Sequence, residues 1–196
     1  MSVRRFVVCA FAASLLALAA SGPPASAARP GGGGGGGSSG PHDPILFVHG
    51  WNSSSTTWNT MVSRFQKDGW TASELNNWSY NTAQSNKTTA AQIQTKVDQW
   101  VSLGGPNHGT DTANFCFDVS CGEMRIGSQF LSDLNAGDET PGLVNYGTWW
   151  SPCDSIINPD SSVSLIGATN TRTACVSHTS LPSDATIYAQ VRDFVK

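Results

Sequence analysis

The chain has 196 residues, 39% hydrophobic and 13% charged, against about 25% charged in an average soluble domain. That length supports one domain with a sizeable core, and the composition excludes a disordered polyelectrolyte or a coiled coil. A formal net charge of −3 leaves no basic footprint for nucleic acid, and no apolar run reaches the roughly 20 residues that span a bilayer.

Arg4 and Arg5 open the chain with positive charge, Phe6–Ala20 is apolar, and Ala25-Ser26-Ala27 is an A-x-A cleavage site. This pattern predicts a secretory signal peptide over residues 1–27, cut after Ala27 and standing outside the fold. A membrane anchor is the competing reading, against which stand the short run and the lack of a charged stop after it. The residues around the Arg pair fit twin-arginine export poorly. Residues 28–40 hold a glycine run from Gly31 to Gly37 and then Ser38-Ser39-Gly40, a flexible linker that buries nothing. Of the five Cys, Cys9 belongs to the signal. Cys116, Cys121, Cys153 and Cys175 remain, an even set that fits two disulfides in an oxidising, extracellular compartment. Zinc is the alternative for these thiols, but no C-x-x-C pair is present and the four His are scattered. No metal is expected.

Ile45–Val48 is a continuous apolar run, as in a strand buried on both faces of a parallel sheet. Ser55, Thr56 or Thr57 then caps a helix carrying Trp58, Met61, Val62 and Phe65 at i, i+3, i+4, i+7, closed by Gly69. A second strand is expected over Leu75–Tyr80. A second helix is expected from Thr88 or Thr89, with Ile93, Val97 and Trp100 inward. Trp100–Leu103 reads as a strand stopped by Gly104-Gly105-Pro106. A short helix over Ser128–Leu134, strands over Val144–Trp150 and Val163–Ile166, and a last helix capped by Ser183 with Ile187, Val191 and Val195 complete the order. Strand alternating with helix means an α/β fold with a mostly parallel sheet.

In such a sheet chemistry sits beyond the carboxyl ends of the strands. Ile45–Val48 ends in His49-Gly50-Trp51, where a tight turn at Gly leaves the Trp51 amide as a donor suited to an oxyanion hole. Asp154 and His178 each follow a strand-like segment. Acid before His, after an early HG strand, is the order of the last two members of an α/β-hydrolase triad. A turn Asp and a backbone-bonded loop His are the plainer readings of the same spacing.

From Pro41 to Lys196 the chain resembles the secreted bacterial class 2 lipases, a small α/β-hydrolase family. The resemblance is carried by FVHGWNSSSTTWNTMVSRF (47–65), WSYNTAQSN (78–86), WVSLGGPNHGT (100–110), TANFCFD (112–118), YGTWWSPCDSIINPDSS (146–162) and ATNTRTACVSH (168–178). It implies a truncated α/β-hydrolase domain over 41–196. It implies Asp154 as triad acid, His178 as triad base and the Trp51 amide as one oxyanion donor. The activity implied is Ser-mediated hydrolysis of ester lipids outside the cell, with no cofactor, by a monomer. Pairings Cys116–Cys121 and Cys153–Cys175 are expected, the second tying the Asp154 loop to the His178 loop.

The chain departs from the family between Gln99 and Trp100. There the family carries a further central strand, a G/A-H-S-x-G type nucleophile elbow and its helix, while here Thr95–Gln99 runs straight into Trp100. Roughly one strand–turn–helix unit, on the order of 30 residues, is missing. The sole literal G-x-S-x-G, Gly36–Gly40, lies in the linker, with neither strand nor helix to hold a Ser in an elbow. Ser53–Ser55 read as a helix entry, and Ser102 points into the sheet layers. The expectation is a fold lacking one central strand and its helix, with two strands left to re-pair or stay unpaired, and little or no turnover. A secreted, non-catalytic lipid binder using the loops around Trp51, Trp149 and Trp150, or a glycan binder using Trp faces, is the alternative.

Overall fold

A computed structural model describes the backbone of residues 6–9 and residues 42–93 and 97–196. The remaining parts of the expected signal peptide and linker, with the G-x-S-x-G of Gly36–Gly40, lie outside the described residues. Six strands form one sheet: β1 (Phe6–Cys9), β2 (Ile45–Val48), β3 (Leu75–Trp78), β4 (Gln99–Leu103), β5 (Asn145–Trp150) and β6 (Thr169–Arg172). All neighbours are parallel, in the order β3-β2-β1-β4-β5-β6. The direction of strand succession reverses between β1 and β4. Crevices at such a switch point, beyond the strand ends, are where open α/β sheets hold ligands.

The slot beside Ile45–Val48, expected to be vacated by the missing strand, holds β1. Phe6 to Cys9 stand in register with Ile45 to Val48 on one side and Gln99 to Ser102 on the other. Of the two outcomes expected for β2 and β4, re-pairing is the one seen, and the new partner comes from the segment whose sequence reads as an export signal.

Alternation along the strands divides the core. Ile45, Phe47, Val101, Leu103 and Trp149 pack against α1 (Asn59–Lys67) and α5 (Ala185–Phe194, the helix after α4 at Gln129–Leu134), with Trp58, Met61, Phe65, Ile187 and Val191 buried between them. Leu46, Val48, Trp100 and Tyr146 turn to the opposite face, where Ile93 and Val97 meet them. Ile93 ends α2 (Asn86–Gln92) and Trp100 is on β4, so the second helix is shorter than its periodicity suggests. Three further expectations change. Ser54 caps the first helical turn by accepting from the Thr56 amide, Ser85 caps α2, and Asp184 caps α5 by accepting from the Thr186 and Ile187 amides. Each cap lies one or more residues before the one expected, except Asp184, which lies one after Ser183.

Val163–Ile166 is not a strand. Asp160–Val163 forms a 3₁₀ turn after Pro159, and the edge strand is Thr169–Arg172. Asp-Ser-Ser after Pro favours a helical turn over extended backbone. Asn170 then secures the following loop, its side-chain amide donating to the Leu165 carbonyl at 2.8 Å and its oxygen accepting from the Leu165 amide at 3.0 Å.

Candidate active site

The carboxyl ends of β2, β4, β5 and β6 lie on one edge of the sheet, and each leads into a residue of interest. β5 runs through Ser151 to Asp154, and β6 leads to His178, the first residue of a 3₁₀ turn over His178–Ser183. His178 Nδ1 lies 2.6 Å from Asp154 Oδ2. Their side chains are 8% and 1% exposed, so the pair is shielded from water. The second oxygen, Asp154 Oδ1, accepts from the amides of Ile156 and Ile157, both at 2.9 Å. An ionised carboxylate only accepts, so Nδ1 carries the hydrogen between them and Nε2 is the ring nitrogen able to take a proton.

Disulfides join Cys116 to Cys121 and Cys153 to Cys175. The second links the residue before Asp154 to the strand-to-loop segment before His178, so two loops from different strands move as one. Ser151, buried, adds to this. Its hydroxyl oxygen accepts from the Cys153 amide at 3.1 Å and the Val176 amide at 3.0 Å, and its hydrogen points to the Ala174 carbonyl at 3.3 Å. Thr110 fixes the far side of the acid loop, donating to the Ile156 carbonyl at 2.6 Å and accepting from the Asn158 amide at 3.1 Å.

Gly104 closes the site from below. It follows β4 with φ +60°, and a Cβ there would stand 2.7 Å from Leu181 Cδ1 and 3.1 Å from both Asp154 Oδ2 and His178 Cε1. Only glycine lets this backbone pass beneath the pair. In the sequence Gly104 reads as a strand stop, and neither Ser151 nor Thr110 stands out. A double glycine at the end of a buried strand was a usable sign of close approach; the two hydroxyls carried no sign of their own.

After β2, His49 is buried, its ring stacked on Tyr80 with centroids 4.6 Å apart, and Tyr80 donates to the His49 carbonyl at 2.6 Å. Burial lowers the His49 pKa below its ordinary value, only partly opposed by the bond of Nδ1 with the Gly50 carbonyl. The unfolded ring titrates near pH ~6.5. Below that, the unfolded chain binds a proton that the folded chain resists. This group's contribution to stability is therefore complete above about pH 6.5 and is lost as pH falls toward the lowered folded value. An NMR titration should place the His49 midpoint below about 6.5, and a midpoint at or above that value contradicts the burial argument.

Trp51 stands in the turn that follows, where Asn52 adopts φ +51°, a conformation Asn tolerates. The Trp51 indole donates to Asp118 Oδ2 at 2.8 Å. The structure thus gathers Asp154 and His178 into one bonded pair, and places Trp51 after β2, on the same sheet edge but separated from β5 by β1 and β4. Ser102 is fully buried on β4 with its hydroxyl unbonded. Ser53 and Ser54 are exposed at the helix entry.

Residues 81–192 match the family model described as lipase (class 2). The chain belongs to the class 2 lipase family. No curated protein sequence matches it. Among solved structures, this class 2 lipase is similar to the Bacillus licheniformis lipase BlEst2 in its mature form. The identity is 14% and the TM-score 0.59, over 78% of this chain and 91% of that one. It is also similar to the propeptide form of that lipase, at 15% identity and TM-score 0.58, over 82% of this chain and 51% of that one. An Aspergillus fumigatus lipase B structure aligns at 17% identity and TM-score 0.42 over 54% of this chain, which spans 31% of that protein. The two Bacillus alignments establish an α/β-hydrolase-like fold, a parallel sheet flanked by helices, and the family gives the class 2 lipase a lipase or esterase type of function.

Proposed function

We propose that the chain is a secreted lipase or carboxylesterase scaffold acting on ester lipids, with the acid–base half of a Ser-His-Asp site assembled and the nucleophile segment missing. The observation that carries this is the buried 2.6 Å pair of Asp154 and His178 at the carboxyl edge of the sheet. In acyl transfer of this type His178 Nε2 takes the proton from a nucleophilic hydroxyl and returns it to the leaving alcohol. Asp154 holds the tautomer and stabilises the imidazolium. The Trp51 amide is the proposed donor to the oxyanion. Two disulfides, and no helix among the described residues long and apolar enough to cross a membrane, fit an exported protein.

The sequence between β3 and β4 has no elbow to supply the Ser or the second oxyanion amide. A triad enzyme without its Ser keeps roughly 10³–10⁴ over water, and one oxyanion donor is worth about 10²–10³. Hydrolysis of a short-chain nitrophenyl ester by the purified chain should therefore lie within about 10–10² of an inert protein control, with no organophosphonate labelling and no change on His178→Ala. Turnover at ordinary enzyme rates, abolished by His178→Ala and accompanied by label on one Ser, would sink the reading and name a substitute nucleophile. Ser53, Ser54 and Ser55 would be examined first.

The non-catalytic alternative changes in detail. Trp149 is 2% exposed, its indole donating to Gln190 and its ring edge-on to Phe194, so it offers nothing to a ligand. Trp58, Trp70 and Trp100 are also buried. Trp51, Trp78 and Trp150 are half-buried, so a glycan platform would have to rest on one of these partly exposed rings. Lipid binding keeps a basis in exposed Phe side chains.

A further inference from the structure

The loop between β4 and α3 (Val119–Glu123) presents Phe115 and Phe117 to solvent at 84% and 93% exposure, and Val119 at the start of α3 is 61% exposed. Burying any of these rings elsewhere in the fold would be favourable, so their display needs a loop stiff enough to prevent it. The loop is held by three kinds of tie. The Cys116–Cys121 disulfide closes it. Arg125 donates from Nε to the Ala113 carbonyl at 3.1 Å and from Nη2 to the Cys116 carbonyl at 2.9 Å. The Trp51 indole bonds Asp118 in the middle of it. Cys116, Cys121, Ala113, Met124 and Trp51 pack together beneath, so the cysteines face inward while the alternating Phe115 and Phe117 face out.

The same ties fix where the loop stands. Trp51 follows β2, and Thr110, just before the loop, bonds the Ile156 and Asn158 backbone beyond Asp154. The apolar display is therefore continuous with the edge of the sheet that carries the Asp154–His178 pair. Among the described residues the other exposed large apolar side chains are Ile126, which follows α3, and Leu143 and Ile166, which precede β5 and β6 and belong to the opposite edge.

We propose that Phe115, Phe117 and Val119 are an interfacial anchor that inserts into an uncharged ester-lipid surface and holds the site mouth against it. This rests on the reading that ester lipids are the substrate class. The chain's net charge of −3 disfavours anionic headgroups, and the single cation of the loop region, Arg125, is spent on backbone carbonyls, so the partner is a neutral acylglycerol surface. Adsorption needs no nucleophile and is separable from turnover.

The test is flotation of the full chain with trioleoylglycerol droplets and, in parallel, with anionic phosphatidylglycerol vesicles. Phe115→Ser with Phe117→Ser should weaken droplet binding at least about tenfold per ring lost, from the transfer cost of a Phe side chain. Leu143→Ser, on the opposite edge, should leave binding unchanged, and all variants should melt with the parent. Droplet binding unaffected by the Phe pair, or lowered equally by Leu143→Ser, overturns the proposal. So does Phe-dependent self-association without droplet binding, which would assign the surface to a second copy, and so does a preference for the anionic vesicles. Absence of ester hydrolysis with Phe-dependent binding intact leaves the anchor standing, whereas hydrolysis with Phe-independent binding removes the anchor alone.

Discussion

A chain that begins at Ala28 is expected to lose cooperative unfolding near the melting temperature of the full-length chain. β1 is paired along its whole length on both sides, with β2 and with β4. Without it, two interior strands become edges in the middle of the sheet. Ile45, Phe47, Val48, Val101 and Leu103, each no more than 1% exposed, would border an empty slot one strand wide, and strands in a ladder sit only about 4.8 Å apart. Each buried backbone group left unbonded costs about 1–3 kcal/mol, against a typical whole-domain stability of about 5–15 kcal/mol. A few such groups are enough to remove the native state. Thermal melts by near-ultraviolet circular dichroism, with amide exchange over 45–48 and 99–103, compare the two forms. Equal melting temperatures and equal protection would show that β2 and β4 close directly on each other and that β1 is dispensable.

That experiment also joins two uses of one segment. Residues 6–9 lie within the stretch whose sequence reads as an export signal and, in the fold, fill the centre of the sheet. Cleavage after Ala27 would separate β1 from the rest of the chain. On that outcome a processed chain would leave β2 and β4 without the partner that β1 provides to both.

The strands of the sheet's interior were legible because burial on both faces forces an unmistakable apolar run, as in Ile45–Val48 and Trp100–Leu103. β6 was not, since Thr169–Arg172 is a polar edge strand with no such run, and the apolar residues of Val163–Ile166 drew the assignment away from it. Helix starts were misread by a residue or more where several Ser and Thr stood together, because each can cap and only the backbone path chooses among them. The pairing of Asp154 with His178 was legible from chain order and family likeness. Ser151, Thr110 and Gly104 act through bonds and contacts between segments far apart in sequence, which no local pattern encodes. β1 was not legible for a different reason: residues 6–9 fall within the stretch that reads as an export signal, and an export signal and a buried strand share the same apolar composition.

Replacing Asp154 by Ala should destabilise the fold by about 3–5 kcal/mol, the cost of removing one member of a buried pair. The carboxylate accepts from three donors, His178 Nδ1 and the Ile156 and Ile157 amides, and its side chain is 1% exposed, so water cannot readily replace it. Asp154→Asn separates the two halves of this role. The Asn carbonyl oxygen still accepts from the Ile156 and Ile157 amides, while its amino group meets Nδ1 and forces that nitrogen to become the acceptor. The hydrogen then moves to Nε2, the tautomer that cannot take a proton from a hydroxyl, a change worth about 10⁴ in the rate of a complete triad. The Asn variant should therefore lose much less stability than the Ala variant, yet reverse the tautomer. Urea midpoints report the first effect and imidazole nitrogen shifts report the second. The Cys153–Cys175 bridge keeps both loops together in either variant, so the comparison isolates the hydrogen bonds. An Ala variant within about 0.5 kcal/mol of the parent, the range of an inconsequential surface change, would mean that the pair is not the keystone of this edge.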